Sequence, residues 1–532
     1  MTVRAAGGGI QRRWGVRAVR WVGPCLALFV SPATVVAQGG DARTSVSPTA
    51  PHSSVRIEDA VIGSDVERYL RALETLSGRR ASGVPVVLVG PWSIDSGPRL
   101  LSLRGVSADL SWNAGLPYGR DDGPAWQGRG GNARFSALAL WQWRGLSLRV
   151  APMLWWAQNT SFAMLPTGPT PFSHPQVGCC IDLPQRFGDA SVARLDPGES
   201  SLAFDWRGAR VAVTSAASRI GAGREHVTLL QGDAGGYPRV EAGVPGGVPT
   251  PLGRFSGNVA WGRLAQTPWA PDRRAGARLG THLEAWWTAP GRGLLEVGGG
   301  RFYHFDWNGL SVRDLGRPFG SIFYDAQVYA GGEADNQQLS VFARVRMPES
   351  GFEFAGELAK NDRSNDLRDF GNELEHNSAW LVVARRAWRS GSALWVVNAT
   401  TSSVRIPELQ LYRGQALNYE HSPITQGHTL RGQLLGTPLL ERGAGAELRV
   451  DRYDAGGRVT MIASSRNLPD VRAEAVPDAA LRQEWALHAE WMRWTPSGAV
   501  TLRLGSLVEV ATSAPSGNRL AWHFSTGYRW LR

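Results

Sequence analysis

The sequence predicts an all-β protein, a transmembrane antiparallel β-barrel of about 16–18 strands with a small helical segment before it. Three observations predict it. From about Leu101 onward, apolar residues recur with period two in short segments separated by glycine, proline, aspartate or asparagine turns. The chain opens with the layout of an export signal, and it closes on a strand with large aromatics along one face. With 43% hydrophobic and 19% charged residues over 532 positions, disorder is excluded as the main state. No internal apolar run approaches the roughly 20 uncharged residues of a membrane helix, so a polytopic helical membrane protein is excluded too.

Residues 1–37 carry Arg4, Arg12, Arg13, Arg17 and Arg20, then an uncharged stretch from Trp21 that ends in Val35-Val36-Ala37. This is a secretory signal peptide, with cleavage expected after Ala37; Pro24 and Pro32 interrupt the stretch and argue against a membrane anchor. Its removal deletes five arginines and no acid, taking the formal charge from +11 to +6. Only Lys360 is a lysine, so the cationic groups are almost all guanidinium. Cys25 leaves with the signal. Cys179 and Cys180 are adjacent, and Cα atoms about 3.8 Å apart lie closer than a disulfide usually spans. Disulfides are therefore not expected to hold the mature chain, and the pair is expected to be free thiols rather than a metal site.

Residues 38–54 are small, polar and proline-containing, the composition of a flexible linker. Over 55–100 the pattern becomes helical. Val66, Tyr69, Leu70, Leu73 and Leu76 recur at spacings of three and four, Ser64 or Asp65 can cap the start, and Gly78 can close the end. The apolar stretch 84–92 reads as a strand or a segment packing on that helix.

Residues 101–532 form the barrel. In 135–150, Phe135, Ala137, Ala139, Trp141 and Trp143 share a face before Arg144-Gly145 turns the chain, and Leu146, Leu148 and Val150 continue. The same plan recurs in 201–213 around Arg207-Gly208, with Leu202, Phe204 and Trp206 before the turn and Val211 and Val213 after it. Both are expected to be tight hairpins. In the last strand, Leu520, Trp522, Phe524, Tyr528 and Trp530 point one way while Arg519, His523, Ser525 and Arg529 point the other. As a free edge that aromatic face would aggregate; in a closed barrel it meets lipid. Tryptophans paired near strand ends, such as Trp155-Trp156 and Trp286-Trp287, suggest aromatic girdles. A soluble propeller or solenoid would show a repeat at fixed period, and none is present.

No nucleophile elbow, zinc helix, phosphate loop or dinucleotide fingerprint occurs, and the ten histidines lack ligand spacing. No enzyme activity, cofactor, metal or nucleic-acid partner is expected. Tryptophans and arginines in glycine-rich loops suit an acidic polysaccharide: rings stack on sugar faces, and guanidinium forks pair with carboxylates.

The block DDGPAWQGRGGN at 121–132, followed by LRVAPMLWWAQNTSF at 148–162, resembles successive segments of the capsule assembly protein Wzi family. IDLPQRFGD (181–189), DPGESSLAF (196–204) and TPLGRFSGNVAWGRL (250–264) are similar to later family blocks in the same order. Where the family has Trp-Gly-Pro-Gly, this chain reads Ile220-Gly221-Ala222-Gly223, and the segment after it reads Asp233 to Arg239 with Tyr237-Pro238. The resemblance implies a noncatalytic outer-membrane protein, helical on the periplasmic side, that binds exported polysaccharide and helps assemble or anchor capsule. Its implied partners are capsular or other surface polysaccharide, outer-membrane lipids and the polysaccharide export machinery. The candidate binding residues are Trp126, Arg129 and Asn132 in the first block and Arg224, Tyr237 and Arg239 in the second, with Trp126 and Tyr237 stacking and the arginines pairing with acidic groups. An outer-membrane porin or sugar-specific channel is the alternative that the barrel pattern alone supports.

Overall fold

The computed structural model describes residues 64–77, 99–119, 122–164, 172, 181–223, 226–270, 277–291, 294–307, 309, 311–320, 335–361, 368, 371, 378–404, 419, 424–437, 443–469, 481–495, 497–511 and 518–531. The signal segment 1–37, the linker 38–54, the stretch 84–92, Cys179, Cys180 and Arg224 lie outside the described residues.

Twenty strands join in one antiparallel sheet that closes on itself: the first strand, Arg99–Ala114, pairs both with Gly130–Trp143 and with the last, Arg519–Leu531. Two pairs of short strands, Leu146–Val150 with Met153–Ala157 and Val192–Asp196 with Ser201–Trp206, each act as one broken stave. The barrel thus has eighteen staves. The break at Ala151-Pro152 falls where proline withholds a ladder donor.

The staves alternate as lipid on one side and a polar lumen on the other require. Leu110, Trp112, Phe135, Leu154, Phe204, Trp522 and Phe524 face outward and are exposed. Arg278, Arg344, Arg385, Arg449, Glu296 and Glu353 face inward and are buried. Adjacent tryptophans divide between the faces, as period two demands: Trp155 and Trp286 turn inward, while Trp156 is exposed outside. The hairpin tips follow from their residues. Arg144 and Gly145 have φ of 43° and 84°, and Arg207 and Gly208 have 49° and 87°, the left-handed pair whose twist suits a two-residue hairpin.

Tight turns gather at one end of the barrel and long connections at the other. The helix α1, Asp65–Ser77, lies in the short-turn mouth. The Ser64 hydroxyl accepts a hydrogen bond from the Glu67 amide at 3.2 Å, the expected cap. Tyr69, Ala72, Leu73 and Leu76 pack on the inward residues Ala387, Leu394, Val396 and Tyr453. Polar anchors complete the docking: Asp65 with Arg458 at 2.5 Å, Glu67 with Arg219 at 2.6 Å, and the Thr75 hydroxyl donating to Glu353 at 3.1 Å. A second, five-residue helix, Val312–Gly316, lies outside the predicted elements; a reciprocal Ser311–Asp314 capping box holds it.

Two connections fold back through the lumen as straps, one through residues 215–223 and 226–238 and one over 424–437. They bond to each other where the Gln231 amide donates to the Leu435 carbonyl at 2.9 Å. Ile220, Leu229, Leu230, Leu434 and Leu435 form an apolar core with the inward wall residues Phe302, Phe342 and Leu381. Contact with the wall is close enough that a Cβ at Gly300 would lie 2.2 Å from the Ile220 side chain. Arg278 donates to the Gly427 and Thr429 carbonyls, and Arg344 to the Ala222 carbonyl at 3.1 Å. The straps also reach distant staves, His226 meeting Glu447 at 3.2 Å and Arg431 pairing with Asp196.

Candidate functional site

At the long-loop end, between the straps and the wall, lies a cavity of about 250 Å³. Three elements build it. The connection after the first stave supplies Tyr118, Asp122, Trp126 and Gln127; the straps supply His226, Asp233 and Gln433; the wall supplies Glu447, Arg466 and Glu484.

Asparagines pin the first connection in place. Asn113 donates to the carbonyls of Tyr118 at 2.8 Å and Gly128 at 3.0 Å, and Asn132 to those of Gly128 at 3.1 Å and Gly130 at 3.0 Å. The Thr160 amide donates to the Arg129 carbonyl, and the Arg129 side chain donates to the Ser161 carbonyl, so 128–132 is zipped to 158–161. Asn159 in turn donates to the carbonyls of Phe187, Gly188 and Ala190. That brings Phe187 under Trp126, their rings parallel with centroids 4.4 Å apart, and Trp269 packs on Phe187. On the other side Tyr118 stacks against His488 at 4.9 Å.

The sequence-derived candidates therefore separate. Trp126 lines the cavity with one ring face on Phe187; Arg129 does not line it, its half-buried side chain donating to the Ser161 carbonyl; Asn132 is buried and bonded to its own loop. Tyr237 and Arg239 lie away from them inside the lumen, 2% and 3% exposed. The Tyr237 hydroxyl bonds His282 at 2.8 Å, and Arg239 pairs with Glu241 at 3.0 Å. Tyr118, Phe187, Gln433 and Glu484 carry no such signal in the sequence. Their signal is three-dimensional, because they come from four separate segments.

The cavity's charge is mostly negative: Asp122, Asp233, Glu447 and Glu484 against Arg466, with His226 beside Glu447. Arg466 pairs with Glu484 at 2.7 Å, Arg134 reaches Asp122 at 3.4 Å, and Gln433 donates to the Pro124 carbonyl at 3.1 Å. Outside the cavity, burial raises the Asp182 carboxyl, while hydrogen bonds from Thr267 and the charge of Arg278 work the other way. A flat ring, carboxylate acceptors and amides that both donate and accept are what a hydroxyl-rich ligand needs. Among the described residues no cluster of His, Cys, Asp and Glu could hold a metal ion.

No family model and no curated protein matches the chain. Among solved structures it is similar to Wzi of Escherichia coli, described as an outer membrane protein involved in group 1 capsule assembly and a carbohydrate binding β-barrel. That match has a TM-score of 0.54 at 12% identity and covers 81% of this chain and 85% of the other. The protein is a bacterial outer-membrane β-barrel. Two further barrels superpose less well: OccK9 (OpdG) of Pseudomonas aeruginosa, with TM-score 0.42, 11% identity and coverage of 80% and 98%, and OccAB2 of Acinetobacter baumannii, with 0.41, 9%, 82% and 99%. In such barrels the short turns are periplasmic and the long loops extracellular. α1 then lies at the periplasmic mouth, and the cavity opens toward the cell exterior.

Proposed function

We propose that this barrel is a noncatalytic surface protein that binds exported polysaccharide and helps assemble or anchor it as capsule. The filled lumen carries this reading. Two interlocked straps and a docked helix cross the path a transporter would keep open, whereas they suit a rigid platform for holding a polymer. Likeness in fold to a carbohydrate-binding capsule barrel supports the same conclusion. Glycan meets the long-loop end, where Trp126 stacks on a sugar and the surrounding carboxylates and amides bond its hydroxyls. A uronate in the cavity would face four carboxylates, so we assign neutral residues of the polymer to it. The export machinery and outer-membrane lipids complete the partners. Deleting the gene in an encapsulated host should shift surface polysaccharide severalfold from cells to medium; undiminished retention would overturn the proposal.

A sugar-specific channel is favoured by one observation, the rows of buried arginines and glutamates on the lumen wall, a lining suited to charged or hydroxylated solutes. The two readings part on conductance.

A further inference from the structure

The lipid-facing wall near the short turns carries a cationic and aromatic patch. It spans four neighbouring strands, Phe352–Asn361, Ser378–Ser390, Ala393–Ser403 and Ala444–Asp454. Register sets Phe352 opposite Arg386, Trp388 opposite Trp395, and Trp395 opposite Arg452. The two indoles are parallel within 9°, their centroids 6.2 Å apart. The Arg386 guanidinium lies 5.0 Å over Phe352 and 5.5 Å over Trp388, and that of Arg452 lies 5.9 Å over Trp395.

Arg386 is exposed and has no carboxylate partner among the described residues, while Arg452 pairs with Asp454 at 3.0 Å. Arg386 lies four positions before Ser390 at the turn, roughly 14 Å along the strand and about 10 Å in depth at a 45° tilt. That is the boundary between headgroups and acyl chains. Beyond it the outward residues Val382 and Phe354 are apolar. A guanidinium at that boundary is costly unless it meets a counter-charge, and cation–π contacts hold this one extended along the wall.

We propose that Phe352, Arg386, Trp388, Trp395 and Arg452 form a docking site for the phosphodiester headgroup of an anionic glycerophospholipid in the periplasmic leaflet. The planar forks donate bidentately to phosphate oxygens, and the indole pair packs against the glycerol backbone. Two guanidiniums against one carboxylate select a net negative lipid, because a zwitterionic headgroup brings an ammonium that they repel.

Native mass spectrometry of the delipidated full chain in detergent tests this, with phosphatidylglycerol, phosphatidylethanolamine and lipid A as probes. Phosphatidylglycerol should be retained severalfold over phosphatidylethanolamine. Arg386→Gln and Arg452→Gln should each lower that retention about fivefold. Arg144→Gln, at a hairpin tip outside the patch, should leave it unchanged. Equal retention of phosphatidylglycerol and phosphatidylethanolamine, preference for lipid A, or wild-type retention by the double variant would each overturn the proposal. The wild-type ratio decides even if a variant fails to fold.

Discussion

At the residue scale, the long-loop end is organised by amides rather than by apolar burial. Asn113, Asn132 and Asn159 each bridge carbonyls of a connection that would otherwise have no ladder to satisfy it, and the result is a fixed place for Trp126. The glycan role expected of Asn132 has to be weighed against this internal work: both of its amide bonds go to its own loop. Trp126 remains the residue through which a ligand can be probed. Trp126→Ala removes the stacking ring and should weaken binding of the host's exported polysaccharide by about tenfold in calorimetric titration. Trp126→Phe, which keeps a ring on Phe187, should lose much less. Unchanged binding by the alanine variant would remove Trp126 from the site.

At the element scale, α1 is held by charge as much as by its apolar face. Burial alone would raise the Asp65 carboxyl, but the guanidiniums of Arg458 and Arg68 outweigh it and hold the group well below the ordinary carboxylate range. A depressed folded-state value means that the contribution is complete above the unfolded value of about 4 and is lost progressively as pH falls from there to the lower folded value. Hydrogen exchange over 65–77 should therefore be as protected at about pH 5.5 as at pH 7, beyond the pH dependence of intrinsic exchange, and should lose protection progressively below about pH 4. Asp65→Asn should speed it about tenfold at both, the loss of roughly 1–2 kcal/mol from one charge-assisted contact. Protection that did not change as the pH fell from 4 to 2 in the wild type would contradict the ion pairing.

The helix and the hairpins were legible in the sequence because their signals are local: a serine at the cap, apolar spacings of three and four, and arginine-glycine tips between alternating runs. The straps were not. Ile220, Leu229, Leu230 and Leu434 stand among glycines and polar residues, and they become a core only against Phe302, Phe342 and Leu381 on remote staves. Those wall residues face inward too, so they blur the very alternation that reveals a barrel strand. The candidate site was legible in part for the same reason: Trp126 lay in a recognisable block, whereas Tyr118, Phe187 and Gln433 reach it by folding.

At the scale of the whole molecule, the question is whether an eighteen-stave barrel carries an aqueous path. Emptied of its connections, a barrel of this size encloses a channel. Here the straps join distant staves through Arg278, Glu447 and Asp196, and α1 occupies the opposite mouth through Asp65, Glu67 and Thr75. Opening the lumen means breaking an apolar core and several buried polar contacts together, so thermal fluctuation should not do it. In planar bilayers the wild-type protein should show no resolvable steps. Replacing 220–235 and 424–437 with short glycine-serine linkers should yield discrete openings of porin size, since the charged wall would then be hydrated. Large steady conductance from the wild type would favour the sugar channel. A strapless barrel that stayed silent would instead mean that something other than the straps seals the lumen.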